Sequence, residues 1–229
     1  MPRIAINGFG RIGRNTFKAG FGKTGFNVVA VNDLTDAKTL ASLLQNDTVF
    51  GRYAKKVGST KNAITVAGKK IPVFSERDPS KLPWNKMNVD VVLECTGAFR
   101  TEEAASAHIQ AGAKKVIISA PSKGGHVPTY VLGVNEKGLS KERKVVINNA
   151  SCTTNCAGPV LAVMEETFGV QKAMLTTIHA YTATQNLQDG PHKDLRRARA
   201  AAVNVIPTTT GAAIAATEAI PNLKGKFDG

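Results

Sequence analysis

The sequence predicts an α/β protein: a doubly wound parallel sheet followed by a smaller, incomplete α+β domain. Three observations predict it. Apolar strand-like runs alternate with helical stretches through the first 150 residues. The first run turns on Gly8, Gly10 and Gly13, a G-x-G-x-x-G spacing between a strand and a helix. Past residue 150 the alternation stops. A cysteine at a helix start, one long strand, a polar loop and an alanine-rich helix follow.

Residues 3–7 alternate apolar and polar as a strand, and the stretch to Ala19 is amphipathic. Residues 26–32 form the next strand and end at Asp33, 20 positions after Gly13. This is the context of a Rossmann-type dinucleotide fingerprint. The glycines permit a tight turn and close backbone approach to a pyrophosphate. The helix N-terminus offers N–H donors, and Asp33 can accept from an adenosine ribose. A plain βαβ turn without ligand is the competing reading.

Residues 36–45 read as a helix opened by Asp36. Around Val57, residues 64–66 and residues 71–73, short alternating pieces predict small antiparallel strands inserted into the sheet. Pro79 and Pro83 bar a long helix there. Residues 89–94 form a core strand ending in Cys95-Thr96-Gly97, a polar turn at a strand's carboxyl end where such sheets bind ligands. Thr101 caps a helix over 102–111, with Glu102 and Glu103 in its first turn. Residues 115–119, 130–134 and 144–148 read as further strands. The first domain therefore spans residues 1–150 and the second 151–229.

The second domain begins with Ala150-Ser151-Cys152-Thr153-Thr154-Asn155-Cys156, where a strand feeds a helix. The helix start stabilises anions and lowers the thiol's pKa, which makes Cys152 a candidate nucleophile. A small buried cysteine is the bland alternative, and the polar surroundings weigh against it. Of the four histidines, His108, His126, His179 and His192, only His179 ends a predicted strand, residues 172–179, that can return to the helix start. A Cys–His pair holds thiolate and imidazolium at neutral pH. A satisfied structural histidine is the alternative for His179 alone. Residues 181–204 form a long loop carrying Arg196, Arg197 and Arg199, and loops of that length are usually functional. Thr208-Thr209-Thr210-Gly211 opens the last helix, as an anion site or as a simple cap.

Composition sets outer bounds. With 229 residues and 42% hydrophobic content, the chain suits a globular protein of one large or two modest domains. No stretch approaches the ~20 apolar residues of a membrane span. The N-terminus reads as a strand rather than a signal peptide. Cys95, Cys152 and Cys156 make no disulfide framework, and a cytoplasmic, reducing compartment is expected. A net charge of +13 comes from 30 basic and 17 acidic residues. The basic residues are scattered in pairs, which favours a solvated surface over a dedicated nucleic-acid face.

The segments Asn7-Gly8-Phe9-Gly10-Arg11-Ile12-Gly13-Arg14, Ser151-Cys152-Thr153-Thr154-Asn155, His179-Ala180-Tyr181-Thr182 and Pro207-Thr208-Thr209-Thr210-Gly211 together resemble phosphorylating glyceraldehyde-3-phosphate dehydrogenases. The resemblance runs from Met1 to Gly229 and implies an NAD-dependent enzyme of glycolysis. It implies that Cys152 attacks the aldehyde of glyceraldehyde 3-phosphate, with His179 as base. A thioester on Cys152 is then cleaved by inorganic phosphate to an acyl phosphate. Ser151, Thr153, Thr182, Thr210 and Gly211 match positions that hold the two phosphate groups, with Arg197 or Arg199 adding charge. Arg11, Ile12, Asp33, Arg77, Thr96 and Ser119 match positions lining NAD, beside Gly8, Gly10 and Gly13. The resemblance further implies a homotetramer for the complete enzyme. Cys156 stands one helical turn after Cys152 with no other ligand cluster nearby, so no metal is expected and Cys156 is expected to be structural.

Two departures matter. NAD-specific relatives often carry Leu-Pro where this chain has Gly190-Pro191, although Asp33 still predicts NAD over NADP. The family's second domain also continues past Gly229 into further strands. The chain as given is therefore expected to hold one unpaired strand, bind cofactor poorly and turn over little, unless a partner chain supplies the rest. Two other functions remain open at this point. One is an erythrose-4-phosphate or related aldehyde dehydrogenase with the same Cys/His logic. The other is a nucleic-acid-binding protein driven by the +13 charge.

Overall fold

The structure, a computed structural model, describes residues 1–124 and 127–229; His126 lies outside them. It divides into two units. One comprises Met1–Tyr130 with Glu136–Ser151, and the other Val131–Asn135 with Cys152–Gly229.

In the first unit, β1 (Arg3–Asn7) leads through the glycine turn into α1 (Arg11–Gly20), then β2 (Asn27–Asn32) and α2 (Ala37–Gln45). Asp36 caps α2, its carboxylate accepting from the Thr39 N–H at 2.9 Å. The chain continues as β3 (Val57–Thr60), β4 (Ala63–Val66), β5 (Lys69–Phe74) and β6 (Val91–Glu94). It then forms α3 (Glu102–Gln110), β7 (Lys115–Ile118) and β8 (Val146–Asn148). Thr101 Oγ1 caps α3 at 3.1 Å from the Ala104 N–H.

The sheet order is β3-β4-β5-β2-β1-β6-β7-β8. From β5 to β8 all neighbours are parallel, whereas β3, β4 and β5 form an antiparallel meander joined to the edge of β2. Successive residues of β1 serve opposite faces, as strand geometry requires. Ala5 joins a core with Trp84, Val92, Ala105 and Val116; Ile6 joins one with Phe17, Val28, Leu40 and Leu44. Helices α1 and α2 therefore cover one face and α3 the other. The order reverses at β1, between β2 and β6, so a crevice opens at their carboxyl ends.

The predicted strand over 130–134 is not one. Only Thr129 bridges to Asn148, and the chain then turns back, with Val131 N–H on Asn135 Oδ1 at 2.9 Å. Gly133, at φ 78°, takes the left-handed conformation that ends an extended run.

In the second unit, α4 (Cys152–Phe168) begins at Cys152 itself and carries Pro159 inside. It is followed by β9 (Ala173–Met174), α5 (Ala212–Ala219) and β10 (Phe227–Asp228). Leu161, Ala216 and Leu223 form its small core, with Ile220 and Phe227 packed against it. Two expectations are corrected here. The strand predicted over 172–179 shrinks to two residues, because the backbone beyond Leu175 meets no neighbouring strand and runs exposed; Ile178 is 99% exposed. Nor is it a lone strand, since β9 pairs in parallel with β10, Ala173 opposite Phe227. Between Tyr181 and Asn204 the loop holds two single 3-10 turns, Leu195–Ala198 and Ala201–Val203.

Candidate active site

The crevice of the first unit is a cleft of about 430 Å3 at the ends of β1, β2 and β6. Gly8 adopts φ 85°, and a side chain there would lie 2.7 Å from Thr96 N. Gly10 lines the cleft with open space where a Cβ would stand. A Cβ on Gly13 would collide with the Gly8 carbonyl oxygen, so α1 packs against the turn only with glycine there. No side chain caps α1, so its first N–H groups are left open to an anionic group. At the next strand end, Asp33 accepts from Phe9 N–H at 2.7 Å and from Thr35 N–H at 2.9 Å. Each oxygen keeps lone-pair capacity for a hydroxyl donor. The bare glycine cradle, helix start and acceptor suit a dinucleotide.

The second unit carries the reactive pair. Cys152 Sγ lies 3.3 Å from His179 Nε2. His179 Nδ1 lies 2.6 Å from the Ala180 carbonyl oxygen. That oxygen can only accept, so Nδ1 holds the proton and Nε2 faces the thiol. Burial opposes ionisation of Cys152, but the His179 ring, with Thr153 assisting, outweighs it and lowers the thiol below its ordinary value. The Cys152 hydrogen bond, chiefly, and then the Ala180 carbonyl raise His179. Both shifts favour thiolate with imidazolium, and the start of α4 adds its dipole. Cys95 is the opposite case: burial pushes its thiol up to about 11.

In the long loop, Thr182 Oγ1 meets Thr184 Oγ1 at 3.0 Å, and Arg197 Nη2 donates to Thr184 Oγ1 at 2.9 Å. Arg197 Nε is buried without a partner among the described residues. Arg199 is drawn instead to Asp189 at 2.8 Å. Thr210 Oγ1 accepts from Ala212 N–H at 3.2 Å, at the start of α5, with Gly211 as the cap residue.

Comparison with known proteins agrees with this geometry. Residues 2–102 match the model of the glyceraldehyde 3-phosphate dehydrogenase NAD-binding domain, and residues 151–229 that of its C-terminal domain. Glyceraldehyde-3-phosphate dehydrogenase 2 of Streptomyces avermitilis is 55% identical over 228 residues, covering 99% of this chain and 68% of that protein. Glyceraldehyde-3-phosphate dehydrogenase 1 of Bacillus cereus is 53% identical over 229 residues, 100% and 68% respectively. The enzyme of Geobacillus stearothermophilus is 53% identical over 227 residues, 99% and 68%. The chain belongs to the glyceraldehyde-3-phosphate dehydrogenase family. It spans about two thirds of the length of these relatives.

Measured against the family expectations, Gly8, Gly10, Asp33, Arg77 and Thr96 line the cleft. Gly13 buttresses it from within α1. Arg11 points away, paired with Asp47 at 2.9 Å and stacked over Phe50. Ile12 is 47% exposed, and Ser119 hydrogen-bonds the Cys95 thiol rather than lining the cleft. Ser151 and Thr153 flank Cys152 and are half-buried. Cys156, expected to be structural, is exposed, because α4 turns its side chain outward there. Sequence reasoning missed Asn7 and Asn32 in the cleft and Thr184 in the loop. The signal for the asparagines was available, since each is a polar residue ending a buried parallel strand. Thr184 carried none, because only the folded loop brings it to Arg197. No helix among the described residues is long and apolar enough to cross a membrane.

Proposed function

We propose that this chain carries the NAD-dependent oxidative phosphorylation of glyceraldehyde 3-phosphate in glycolysis, with Cys152 as nucleophile and His179 as acid and base. The single observation that carries the roles is the 3.3 Å approach of Cys152 Sγ to His179 Nε2, with Nδ1 anchored on Ala180. Residues 1–150 hold the cofactor, and residues 151–229 supply the thiol and the base. The Cys152 thiolate adds to the aldehyde carbon, and His179 Nε2–H protonates the oxygen to give a hemithioacetal. His179 then withdraws that hydroxyl proton. NAD, when bound, supplies the acceptor for the hydride that leaves the same carbon. The resulting thioester is cleaved by inorganic phosphate, which releases an acyl phosphate and returns the thiolate.

Thr182, Thr184 and Arg197 form the polar cluster best suited to an anionic oxygen, supported by the buried, unpartnered Arg197 Nε. Ser151, Thr153, Thr210 and Gly211 are proposed as the remaining phosphate contacts. Assembly as a homotetramer and a cytoplasmic location fit the same reading. The test is the rate of NAD reduction with triose phosphate and inorganic phosphate, in parallel with erythrose 4-phosphate and with Cys152→Ser. Equal rates with both sugars, or activity retained in the serine variant, would overturn the proposal.

A further inference from the structure

Beneath the cofactor cleft runs a buried chain of polar side chains that the chemistry above does not use. Trp84 is fully buried, and its indole N–H donates to His108 Nδ1 at 3.0 Å. An indole nitrogen can only donate, so Nδ1 accepts and the imidazole proton sits on Nε2. Nε2 then donates to Glu94 Oε2 at 3.1 Å. His108 is 0% and Glu94 1% exposed. Asn7 Nδ2 donates to the same oxygen at 2.6 Å. The other oxygen, Oε1, accepts from Thr96 N–H at 2.8 Å and from the Thr96 hydroxyl. A buried carboxylate is costly unless every lone pair is met, and among the described residues no Lys or Arg reaches Glu94; aligned hydrogen-bond donors do.

Among the described residues, every donor on Glu94 other than His108 belongs to a residue of the cleft wall, Asn7 or Thr96. With its hydrogen given to Glu94 and Ala98 N–H donating to it at 3.0 Å, Thr96 Oγ1 presents only acceptor capacity beyond this set. Gly8 leans directly on this wall, since the space a Cβ would fill there is taken by Thr96 N.

We propose that Trp84, His108 and Glu94 are positioning residues that fix the Thr96 turn, and through it the Gly8 turn, for binding of the NAD dinucleotide. Trp84 sets the imidazole tautomer, the imidazole orients the carboxylate, and the carboxylate holds the wall. The proposal rests on the reading of this cleft as the cofactor site. Hydrogen exchange without cofactor tests the wall separately, so the two can fail independently.

Trp84→Phe keeps the ring bulk and removes the donor; Glu94→Gln keeps the shape and turns a donor into the acceptor cluster. Each is made in the full 229-residue chain. Exchange of the Thr96 and Ala98 amides is expected to accelerate about tenfold, while Val92 and Leu93 within β6 hold their protection. The Kd for NAD, by calorimetry, is expected to rise about tenfold with the rate of Cys152 alkylation unchanged. In the double variant Trp84→Phe/Thr96→Val, the loss should not exceed that of the larger single variant. A purely structural role predicts the reverse. Exchange would then rise across all of β6, melting would fall, and Kd would stay within about twofold at temperatures where the chain is folded. Additive losses in the double variant, or a locally loosened Thr96 with unchanged Kd, would likewise overturn the proposal. Should Trp84→Phe not fold, Glu94→Gln carries the same readouts.

Discussion

Alanine placed at Gly8 and at Gly10 separates folding from binding within one turn. At Gly8 two costs arise. The φ of 85° is left-handed, and L-residues lose about 1–2 kcal/mol there. The new Cβ would meet Thr96 N at 2.7 Å, Thr96 Cγ2 at 2.8 Å and Cys95 C at 2.9 Å. Two of these three are backbone atoms of the turn that follows β6 rather than flexible side-chain ends, so overpacking adds about 1–3 kcal/mol. Gly8→Ala should therefore cost about 2–5 kcal/mol, a large share of an ordinary domain's stability. At Gly10, φ is −72° and nothing stands within 4 Å of a built Cβ. Loss of a good cap residue and a stiffer unfolded chain nearly offset each other, so stability should change by less than about 1 kcal/mol. The methyl would instead intrude on the bare surface where a pyrophosphate must approach. Urea unfolding followed by circular dichroism, with NAD titration by calorimetry, reads both quantities. The reasoning is refuted if Gly10→Ala unfolds as readily as Gly8→Ala, or if Gly10→Ala binds NAD as tightly as the parent.

Two further outcomes follow from the sites. Alkylation of Cys152 should rise as pH climbs through a thiol value held below the ordinary one, and His179→Asn should move that rise up toward ~8.5, measured by peptide mapping at successive pH values. Cys95 should react last, since its thiol stays protonated until about 11; a profile unmoved by the histidine change would sink the ion-pair argument. Asp33→Asn should weaken NAD binding and narrow its advantage over NADP, because the lost negative charge is what repels a 2′-phosphate; an unchanged affinity ratio contradicts it.

The sheet was legible because its signals are local. The glycine spacing, the buried strands and the caps Asp36 and Thr101 each declare an element from within it. The pairing of Cys152 with His179 was legible from their places at a helix start and a returning segment, although the strand imagined between them hardly forms. What escaped the sequence depends on distant partners. Val131 and Val134 look like strand residues, but the chain turns back around Gly133, whose left-handed backbone no neighbour declares in advance. The partner of β9 lies more than fifty residues away in Phe227, too short a signal to read alone. The exchange of Arg11 for Asn7 and Asn32 in the cleft has the same origin. Asp47 draws the guanidinium away, and that pull exists only once α1 and the 45–50 turn are packed together.

Trp84 is the only tryptophan, and it sits at the dry end of the Glu94 relay, within the first unit. Its emission is therefore a single-site optical reporter for that unit. The red shift on its release to water should track the parallel sheet alone, while circular dichroism sums both units. Coincident curves would mean that the two units melt as one; separated curves would give each its own midpoint, without introducing any label.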